Sequence, residues 1–429
     1  MEKNKMQNLD LSKINTSKIL SARKVFFVGI GGIGISAIAR MMFLEGKEVS
    51  GSDMSENELT HELSELGIKI TIGQDFELIP RDVDLIVYTI AIPHYDPKLF
   101  NQIINSSILH KSYPEMLGIV TKNKYTIAVA GTHGKTTTTA MIAKILVDAG
   151  RNPSVVVGSL LKDFKSNLIV GKSDLFVVEA CEYERSFLNL KPKILVITNI
   201  EPDHLDYYKD LDDIKTAFKQ LAAQSEKVIT DYTQYLEKIP KLSVPGVHNR
   251  MDAAAAYAVA ELLNIPEKII KKSLAEFSGT WRRLEKKGET KEGVIIYDDY
   301  AHHPTEVRAS LLGLRELYPK GEKIITVLFQ PHLYSRTKAL FDEFVTCFDD
   351  ADNVLLLPIY FARENPDPEV SSGKLAEAIR LHRGEAVAFI SFTEAEEWVR
   401  KMKLGPKDVF VTMGAGEAYK VTEKVFKLT

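Results

Sequence analysis

A glycine-rich loop between a predicted strand at Tyr125–Val129 and a predicted helix at Thr136–Ala149 carries the strongest chemical signal in the chain. It reads AGTHGKTT over residues 130–137. Its glycines let backbone N–H groups turn toward phosphate oxygens, and the helix N-terminus adds positive potential. Lys135 can reach the β- and γ-phosphates of a nucleoside triphosphate such as ATP, and the Thr136 hydroxyl can bind Mg²⁺. The residues predicted to form this site are Gly131, Thr132, His133, Gly134, Lys135, Thr136 and Thr137.

A second glycine loop follows a predicted strand at Val25–Val28. Residues 29–34 read GIGGIG, and the GxGxxG spacing is typical of a pyrophosphate held at a helix N-terminus. NAD, FAD and a UDP-sugar all contain a pyrophosphate, and a tight structural turn gives the same pattern, so the motif leaves the ligand open. The residues predicted to line this site are Gly29, Gly31, Gly32, Gly34, Ser52 and Asp53.

Carboxylates and a histidine follow two further predicted strands. Glu179 comes directly after one of them, where a carboxylate beside a phosphate loop can hold Mg²⁺. For Glu182 and Glu184, the pattern favours a solvated acidic loop. His204 follows the next strand and is a candidate for binding a second metal ion or a phosphate.

Two polar segments late in the chain are further candidates. Residues 298–304 read DDYAHHP, which suggests zinc, but adjacent His side chains at a strand end diverge, so we expect no zinc site there. His332, Tyr334 and Arg336 follow a predicted strand and form a candidate carboxylate-binding loop, because an arginine can donate a bidentate fork to a carboxylate.

The elements that carry these residues alternate between strand and helix along all 429 residues. Alternation of this kind predicts an α/β protein with mostly parallel sheets, and the length indicates about three domains. We place them at 1–118, 119–280 (a central domain that contains the phosphate loop) and 281–429. Besides those above, strands are predicted at Leu85–Tyr88, Leu175–Val178, Ile194–Thr198, Val294–Tyr297, Ile324–Leu328, Val354–Leu357 and Val409–Thr412, and helices at Asp252–Leu263 and Thr337–Phe348.

Composition argues against several classes of protein. The net charge is −3, so we expect neither nucleic acid nor an anionic membrane as a partner. Two cysteines without CxxC spacing exclude a disulfide framework and fit the cytoplasm. The first 22 residues lack an apolar core, so no signal peptide is expected. Val25–Leu44 is long enough to span a bilayer, but its glycines favour strand, turn and helix instead.

Taken together, these segments resemble the Mur ligase family. The resemblance extends from about residue 24 to about residue 417, and the order and spacing of the motifs are specific. The matching stretches are VGIGGIGISAIA (28–39), GSDMS (51–55), AGTHGKTTTT (130–139), TNIEPDHLDYY (198–208), PGVHN (245–249), DDYAHHPTEV (298–307), FQPHLYSRT (329–337) and GAGE (414–417).

The resemblance implies an α/β protein with a Rossmann-like N-terminal domain, a P-loop ATPase central domain and a Rossmann-like C-terminal domain, and it implies a role for each. The first would bind a UDP-sugar, so its glycine loop would hold a UDP pyrophosphate. The second would bind ATP, with Mg²⁺ on Thr136 and Glu179 and a second metal ion on His204. Further ATP contacts would come from Asn249 to adenine, Arg283 to the γ-phosphate and Asp299 to the ribose. The third domain would bring the amino acid, near His332, Tyr334 and Arg336.

The activity implied is an ATP-dependent ligation of L-alanine to the carboxylate of UDP-N-acetylmuramate through an acyl phosphate, in peptidoglycan precursor synthesis. Three alternatives are the related ligase that attaches a recycled tripeptide, an NAD-dependent oxidoreductase, and a catalytically silent UDP-sugar-binding protein. Leu333 and Arg363 depart from the family pattern and leave the amino-acid preference open. The sequence does not indicate an oligomeric state.

Overall fold

The structure, a computed structural model, describes residues 16–164, 166–361 and 364–429. Arg363 lies outside these residues, and so do most of the first 22 residues, on which the expectation of no signal peptide rests. Among the described residues, no helix has the length and hydropathy needed to cross a bilayer. The apolar stretch Val25–Leu44 is divided between a strand and a helix of 12 residues.

The N-terminal unit ends at Lys124, includes the segment Asn189–Lys191, and contains one sheet. Its strands are β1 (Lys24–Val28), β2 (Glu48–Asp53), β3 (Lys69–Ile72), β4 (Leu85–Tyr88) and β5 (Leu109–Ser112). Its helices are α1 (Thr16–Ser21), α2 (Ile33–Leu44), α3 (Glu58–Glu65), α4 (Ile92–Tyr95), α5 (Pro97–Ile104) and α6 (Tyr113–Thr121). The strands pair in parallel in the order β3-β2-β1-β4-β5. The order reverses at β1, and open α/β sheets bind ligands at such a point.

The second unit contains two six-stranded sheets. The strands of the first are β6 (Tyr125–Ala130), β7 (Ser154–Leu161), β8 (Ser166–Ile169), β9 (Leu175–Glu179), β10 (Ile194–Ile197) and β11 (Lys227–Ile229). The helices that follow in the chain are α7 (Lys135–Asp148), α8 (Leu211–Ala223), α9 (Val247–Leu262) and α10 (Glu267–Ala275). The order is β11-β10-β6-β9-β7-β8, with only β8 antiparallel to its neighbour. The carboxyl ends of β9 and β10 therefore flank that of β6.

The other sheet of this unit is formed by the C-terminal part of the chain. Its strands are β12 (Glu285–Glu289), β13 (Ile295–Asp299), β14 (Ile324–Phe329), β15 (Asn353–Leu356), β16 (Ala386–Ala388) and β17 (Asp408–Met413). Its helices are α11 (Pro304–Leu317), α12 (Tyr334–Ala339), α13 (Phe341–Thr346), α14 (Ser372–Arg383), α15 (Phe392–Lys401) and α16 (Tyr419–Val425). The order is β12-β13-β17-β14-β15-β16, parallel except for β12.

The predicted strands are found to within two residues at each end. Parallel strands covered on both faces read as continuous apolar runs, and β4 (LIVY) and β10 (ILVI) are buried at every position. The helix predicted at Thr337–Phe348 is found in two pieces: the chain forms α12 and α13, separated at Leu340, whose φ of −113° and ψ of 28° leave the helical region. Because helical periodicity continues across Leu340, the pattern alone did not indicate the break.

Candidate active site

The phosphate loop connects β6 to α7, as the sequence predicts. Gly134 is the N-cap of α7 with φ +78°, a conformation that favours glycine. The carboxyl end of β10 supports the loop, because the carbonyl of Asn199 accepts the Thr132 N–H (3.1 Å) and its side-chain oxygen accepts the His133 N–H (2.9 Å). Motif spacing did not identify Asn199 as part of this site, since its role arises from the pairing of β6 with β10.

Lys135, the first residue of α7, donates all of its ammonium hydrogens to protein oxygens. The acceptors are the carbonyls of Gly131 (2.5 Å) and Thr132 (3.0 Å) and the Glu182 carboxylate (3.0 Å). Burial opposes the charge, but the attraction of Glu182 prevails and raises the pKa of Lys135 above its usual value. The ammonium is therefore charged at the phosphate loop.

The Thr136 hydroxyl and the Glu179 carboxylate fit a shared Mg²⁺. Thr136 Oγ1 lies 3.1 and 3.0 Å from the two Glu179 oxygens, and the N–H of Gly158 donates to Glu179 Oε2 at 2.8 Å. Neighbouring ligands of an octahedral Mg²⁺, each about 2.1 Å from the ion, lie about 3 Å apart. The spacing of these two oxygen donors is suited to that ion.

The expectation that Glu182 lies in a solvated loop is wrong. The residue is only 3% exposed, because its neighbours in space are Lys135 and His204, whose Nε2 lies 3.8 Å from Glu182 Oε1. Tyr208 donates its hydroxyl to the Glu182 carbonyl at 2.5 Å. Local polarity indicated exposure, whereas the lysine supplies a partner that only the fold brings near.

A cavity of about 290 Å³ lies beside this loop. It brings together most of the predicted ATP-binding residues, from the loop and from the segments around α9, β13 and α11. The predicted residues that line it are His133, Gly134, Thr136, Thr137, Asn249, Arg283 and Asp299. Lining residues that were not predicted include Thr198, Asn199, Glu201, Tyr232, His248, Met251, Asp252, Leu284, Thr305, Glu306 and Ser310.

Burial disfavours the charged forms of three residues that line this cavity. It lowers the pKa of His248 to about 4, so that ring is neutral at pH 7. It also raises the pKa of Asp252 to about 7 and that of Asp299 to about 6. Asn249, which is buried, donates to the carbonyl of Pro245. The neutral His248 ring and the Asn249 amide, 3.1 Å apart, suit an uncharged base, while Lys135 provides positive charge at the loop.

Two consecutive arginines link the loop to the C-terminal sheet. Arg283 lies 3.4 Å from Thr136 Oγ1 and 3.8 Å from Glu306. Arg282 is 3% exposed and donates to Asp298 at 2.7 Å and to the carbonyls of Gly414 and Gly416. Arg282 thus anchors its segment to the C-terminal sheet through Asp298 and to the loop that contains Gly414 and Gly416, whereas Arg283 faces the phosphate loop.

His133 lies between carboxylates from two segments. Its Nδ1 is 3.1 Å from Glu306 and its Nε2 is 3.5 Å from Glu201. His133, Glu201 and His303 each offer a donor atom within 4.8 Å of the others. However, His303 Nδ1 accepts the Thr305 N–H (3.2 Å) and its Nε2 faces the Pro202 carbonyl (3.3 Å). Because both ring nitrogens of His303 have partners, we interpret the group as a hydrogen-bond network.

This network predicts a pH-dependent stability. Burial lowers the pKa of His133, but the interactions in which its protonated ring donates toward the Glu201 and Glu306 carboxylates outweigh burial and raise the pKa to about 9, against about 6.5 in the unfolded chain. The stabilisation is therefore complete below about pH 6.5 and is lost as the pH rises through about 9. We expect wild type to lose on the order of 2 kcal/mol more than His133→Gln between these pH values, measured by denaturant unfolding. His382→Gln, at an exposed ion pair, is the control, and equal losses in wild type and His133→Gln would refute the prediction.

The candidate carboxylate loop is already engaged with the protein. Arg336 donates to Asp203 Oδ1 from Nε (3.1 Å) and Nη2 (2.8 Å), and its Nη1 lies 2.9 Å from His332 Nδ1. His332 stacks on Tyr360 with ring centroids 5.6 Å apart. We expected the Arg336 guanidinium to be free for a substrate carboxylate, but two of its nitrogens donate to Asp203. The sequence did not indicate Asp203 as part of this site. Roles for His332, Tyr334 and Arg336 toward an amino acid stay predictions.

The first glycine loop follows β1, where the order of the N-terminal sheet reverses. Gly29 has φ +77°, and its N–H donates to the Ser52 carbonyl at 2.8 Å. The N–H of Gly31 donates to Asp53 Oδ2 at 2.7 Å. Asp53 therefore braces the loop itself. Ligand contacts stay predictions for all six residues of this predicted site, namely Gly29, Gly31, Gly32, Gly34, Ser52 and Asp53.

Comparison with known families gives three consecutive matches. The Mur ligase family catalytic domain matches residues 24–125, the Mur ligase middle domain matches 129–314, and the Mur ligase glutamate ligase domain matches 282–416. The three matches correspond to the three sheets, although they overlap at 282–314. The domain limits at 118 and 280 stay predictions.

Comparison with individual proteins gives relatives of similar length. The UDP-N-acetylmuramate–L-alanine ligase of Clostridium perfringens is 38% identical over 94% of this chain and 98% of that protein. The ligase of the same name from Clostridium novyi is 39% identical over 94% and 96%. Among solved structures, UDP-N-acetylmuramate–alanine ligase from Thermotoga maritima aligns with a TM-score of 0.79 and 27% identity, over 94% of this chain and 98% of that one.

Proposed function

The chain belongs to the Mur ligase family, and on that premise we propose that it joins L-alanine to the carboxylate of UDP-N-acetylmuramate at the cost of ATP, in the cytoplasm. The observation that carries the proposal is 38% identity over nearly the whole chain to ligases of that name. The cavity supports it, because phosphate-loop residues and Arg283 line the same space.

The chemistry assigned to the site is activation of a carboxylate. A carboxylate does not react with an amine at neutral pH, because oxide is a poor leaving group. Transfer of the γ-phosphoryl group of ATP to the carboxylate makes an acyl phosphate; the amine then attacks, and inorganic phosphate leaves. Lys135 and Arg283 supply fixed positive charge where the phosphate charge develops.

Thr136 and Glu179 would hold Mg²⁺, and His204 would hold a second ion. When bound, Mg²⁺ neutralises charge on the phosphates. The residues fit it, since the Thr136 and Glu179 oxygens are 3.0 Å apart. Asn249 and Asp299, which both line the cavity, are proposed for adenine and ribose. Gly29–Gly34, with Ser52 and Asp53, are proposed for the UDP-sugar.

The direct test is phosphate release from ATP with UDP-N-acetylmuramate and a panel of amine substrates. We expect the highest kcat/KM for L-alanine, compared with glycine, L-serine and a tripeptide containing L-Ala-γ-D-Glu. A tenfold or greater preference for the tripeptide would replace the proposal with the recycling ligase. NADH binding without UDP-sugar binding would favour an oxidoreductase.

Gly31→Val should weaken UDP-sugar binding and leave ATP binding nearly unchanged. A Cβ at this position would lie 2.6 Å from Asn57 Nδ2 and 2.9 Å from Asp53 Oδ2, so the valine forces the loop away from β2. A loss of about tenfold or more is expected if the loop amides bind the pyrophosphate. Calorimetry with each ligand separately measures it. Unchanged UDP-sugar affinity would place that ligand elsewhere.

Arg336→Lys should raise the KM for the amino acid more than the KM for ATP. A lysine ammonium cannot make the fork that Arg336 directs at Asp203 and His332, so the loop near the substrate loses its alignment. We expect an effect of about tenfold in steady-state kinetics. Equal changes in the two KM values would argue against an amino-acid role for this loop.

A further inference from the structure

All three hydrogens of the Lys135 ammonium have acceptors within the protein. A lysine ammonium has three hydrogens to donate, and the carbonyls of Gly131 and Thr132 and the Glu182 carboxylate accept them. Contact with a phosphate therefore requires Lys135 to exchange at least one of these partners. Glu182 is the partner whose charge a phosphate replaces.

Glu182 needs positive charge when Lys135 turns away. The residue is buried, and its Oε2 has no hydrogen-bond partner among the described residues. A buried carboxylate without a partner is strongly unfavourable. An arriving triphosphate adds further negative charge nearby, so the position calls for a cation.

His204 supplies the second donor at this position. Its φ of +52° is strained for a non-glycine residue, and its Nε2 lies 3.8 Å from both Glu182 Oε1 and Asp203 Oδ2. These separations are too long for hydrogen bonds but fall in the range between ligands of one divalent ion, about 3–4 Å. Imidazole with carboxylate is a common donor set for such ions.

We propose that Glu182 is a ligand of the second divalent cation, shared with His204, and that Lys135 holds the place of that cation until ATP draws the lysine to its phosphates. This inference rests on the proposed function, because it concerns the same ATP site. If so, the binding of ATP and that of the second cation favour each other. ATP draws Lys135 away and leaves the Glu182 carboxylate without its cation, and the second cation then neutralises that carboxylate. Glu182 thus controls both the lysine and the metal ion.

The test counts bound Mn²⁺ by electron paramagnetic resonance in the presence of a non-hydrolysable ATP analogue. Wild type should bind two ions, and Glu182→Gln and His204→Gln should each bind one. Glu184→Gln, two residues away in the same segment, is the matched control and should bind two. Two ions in Glu182→Gln, or one in wild type, would overturn the proposal.

A second measurement separates a metal ligand from a structural residue. In EDTA, Glu182→Gln should bind the analogue as tightly as wild type or up to about tenfold more tightly, because Lys135 is released from its partner. His204→Gln should be unchanged. Loss of nucleotide binding in folded Glu182→Gln would mean that Glu182 only supports the loop, and would refute the proposal.

Two further outcomes keep the tests independent. If Glu182→Gln does not fold, Glu182→Asp keeps the charge and should bind the second Mn²⁺ at least about tenfold more weakly; unaltered affinity would contradict the inference. If wild type binds two ions with the analogue but ligates no amine to UDP-N-acetylmuramate, the proposed function fails while the cation site stands.

Discussion

Lys135→Ala should abolish ligation, with kcat reduced by at least about 100-fold, or about 2.7 kcal/mol of transition-state stabilisation. The lysine is the first residue of α7, and its charge is maintained by Glu182. Among the described residues that line the neighbouring cavity there is no lysine, so no lysine there can replace this charge. Phosphate release under saturating ATP and UDP-N-acetylmuramate measures the effect, and near-normal turnover in a folded variant would refute the ATP-site assignment.

Controls for this variant are available in the same segment. Lys144→Ala removes a lysine from α7 that pairs with Asp148 at 3.0 Å, and it should retain turnover. Lys135→Ala also leaves Glu182 without its partner. Adding Glu182→Gln should therefore recover part of the lost thermal stability but none of the turnover. Recovery of turnover in the double variant would show that Lys135 acts on Glu182 alone.

Arg282→Met should be the most destabilising of these substitutions, with a loss of about 3–5 kcal/mol. The guanidinium lies 4.5 Å from the Tyr419 ring centroid and donates to Asp298 and to two carbonyls. Its loss leaves Asp298, which is 2% exposed, as an unpaired buried charge. Denaturant unfolding measures the loss.

The neighbouring residue provides a matched control. Arg283→Met removes the same charge from a side chain that is 28% exposed, so we expect a loss of less than about 1 kcal/mol in stability together with a large loss of activity. Asp298→Asn in the Arg282→Met background should restore part of the stability. Equal destabilisation by the two arginine variants would contradict the anchoring role of Arg282.

The phosphate loop shows how far local sequence reaches. Gly134 and Lys135 lie between an apolar strand and a helix, and the spacing alone predicted both the turn and the ligand class. The strands near it were predicted because burial on both faces requires a continuous apolar run. Helix limits were less predictable, as α12 and α13 show, because the break at Leu340 does not interrupt the apolar pattern.

The partners of the site residues were not predictable in this way. Glu182 and Asp203 lie in polar stretches that are typical of exposed loops, yet their side chains are only 4% and 9% exposed and pair with Lys135 and Arg336. Their partners are 47 and 133 residues away in the chain. A carboxylate can be buried only where the fold places an opposite charge beside it. The local sequence pattern does not predict which distant residue provides that charge.

By itself, the sequence determined the α/β class, the two glycine loops and the family, because each depends on residues close together in the chain and on the order of motifs. Only the tertiary structure decided that Asp53 braces its own loop, that Arg282 is an anchor while Arg283 faces the phosphate loop, and that Glu182 holds Lys135. These roles depend on burial and on distances between segments. The free energy of a charged side chain depends on its surroundings, which are set when the sheets bring distant segments together.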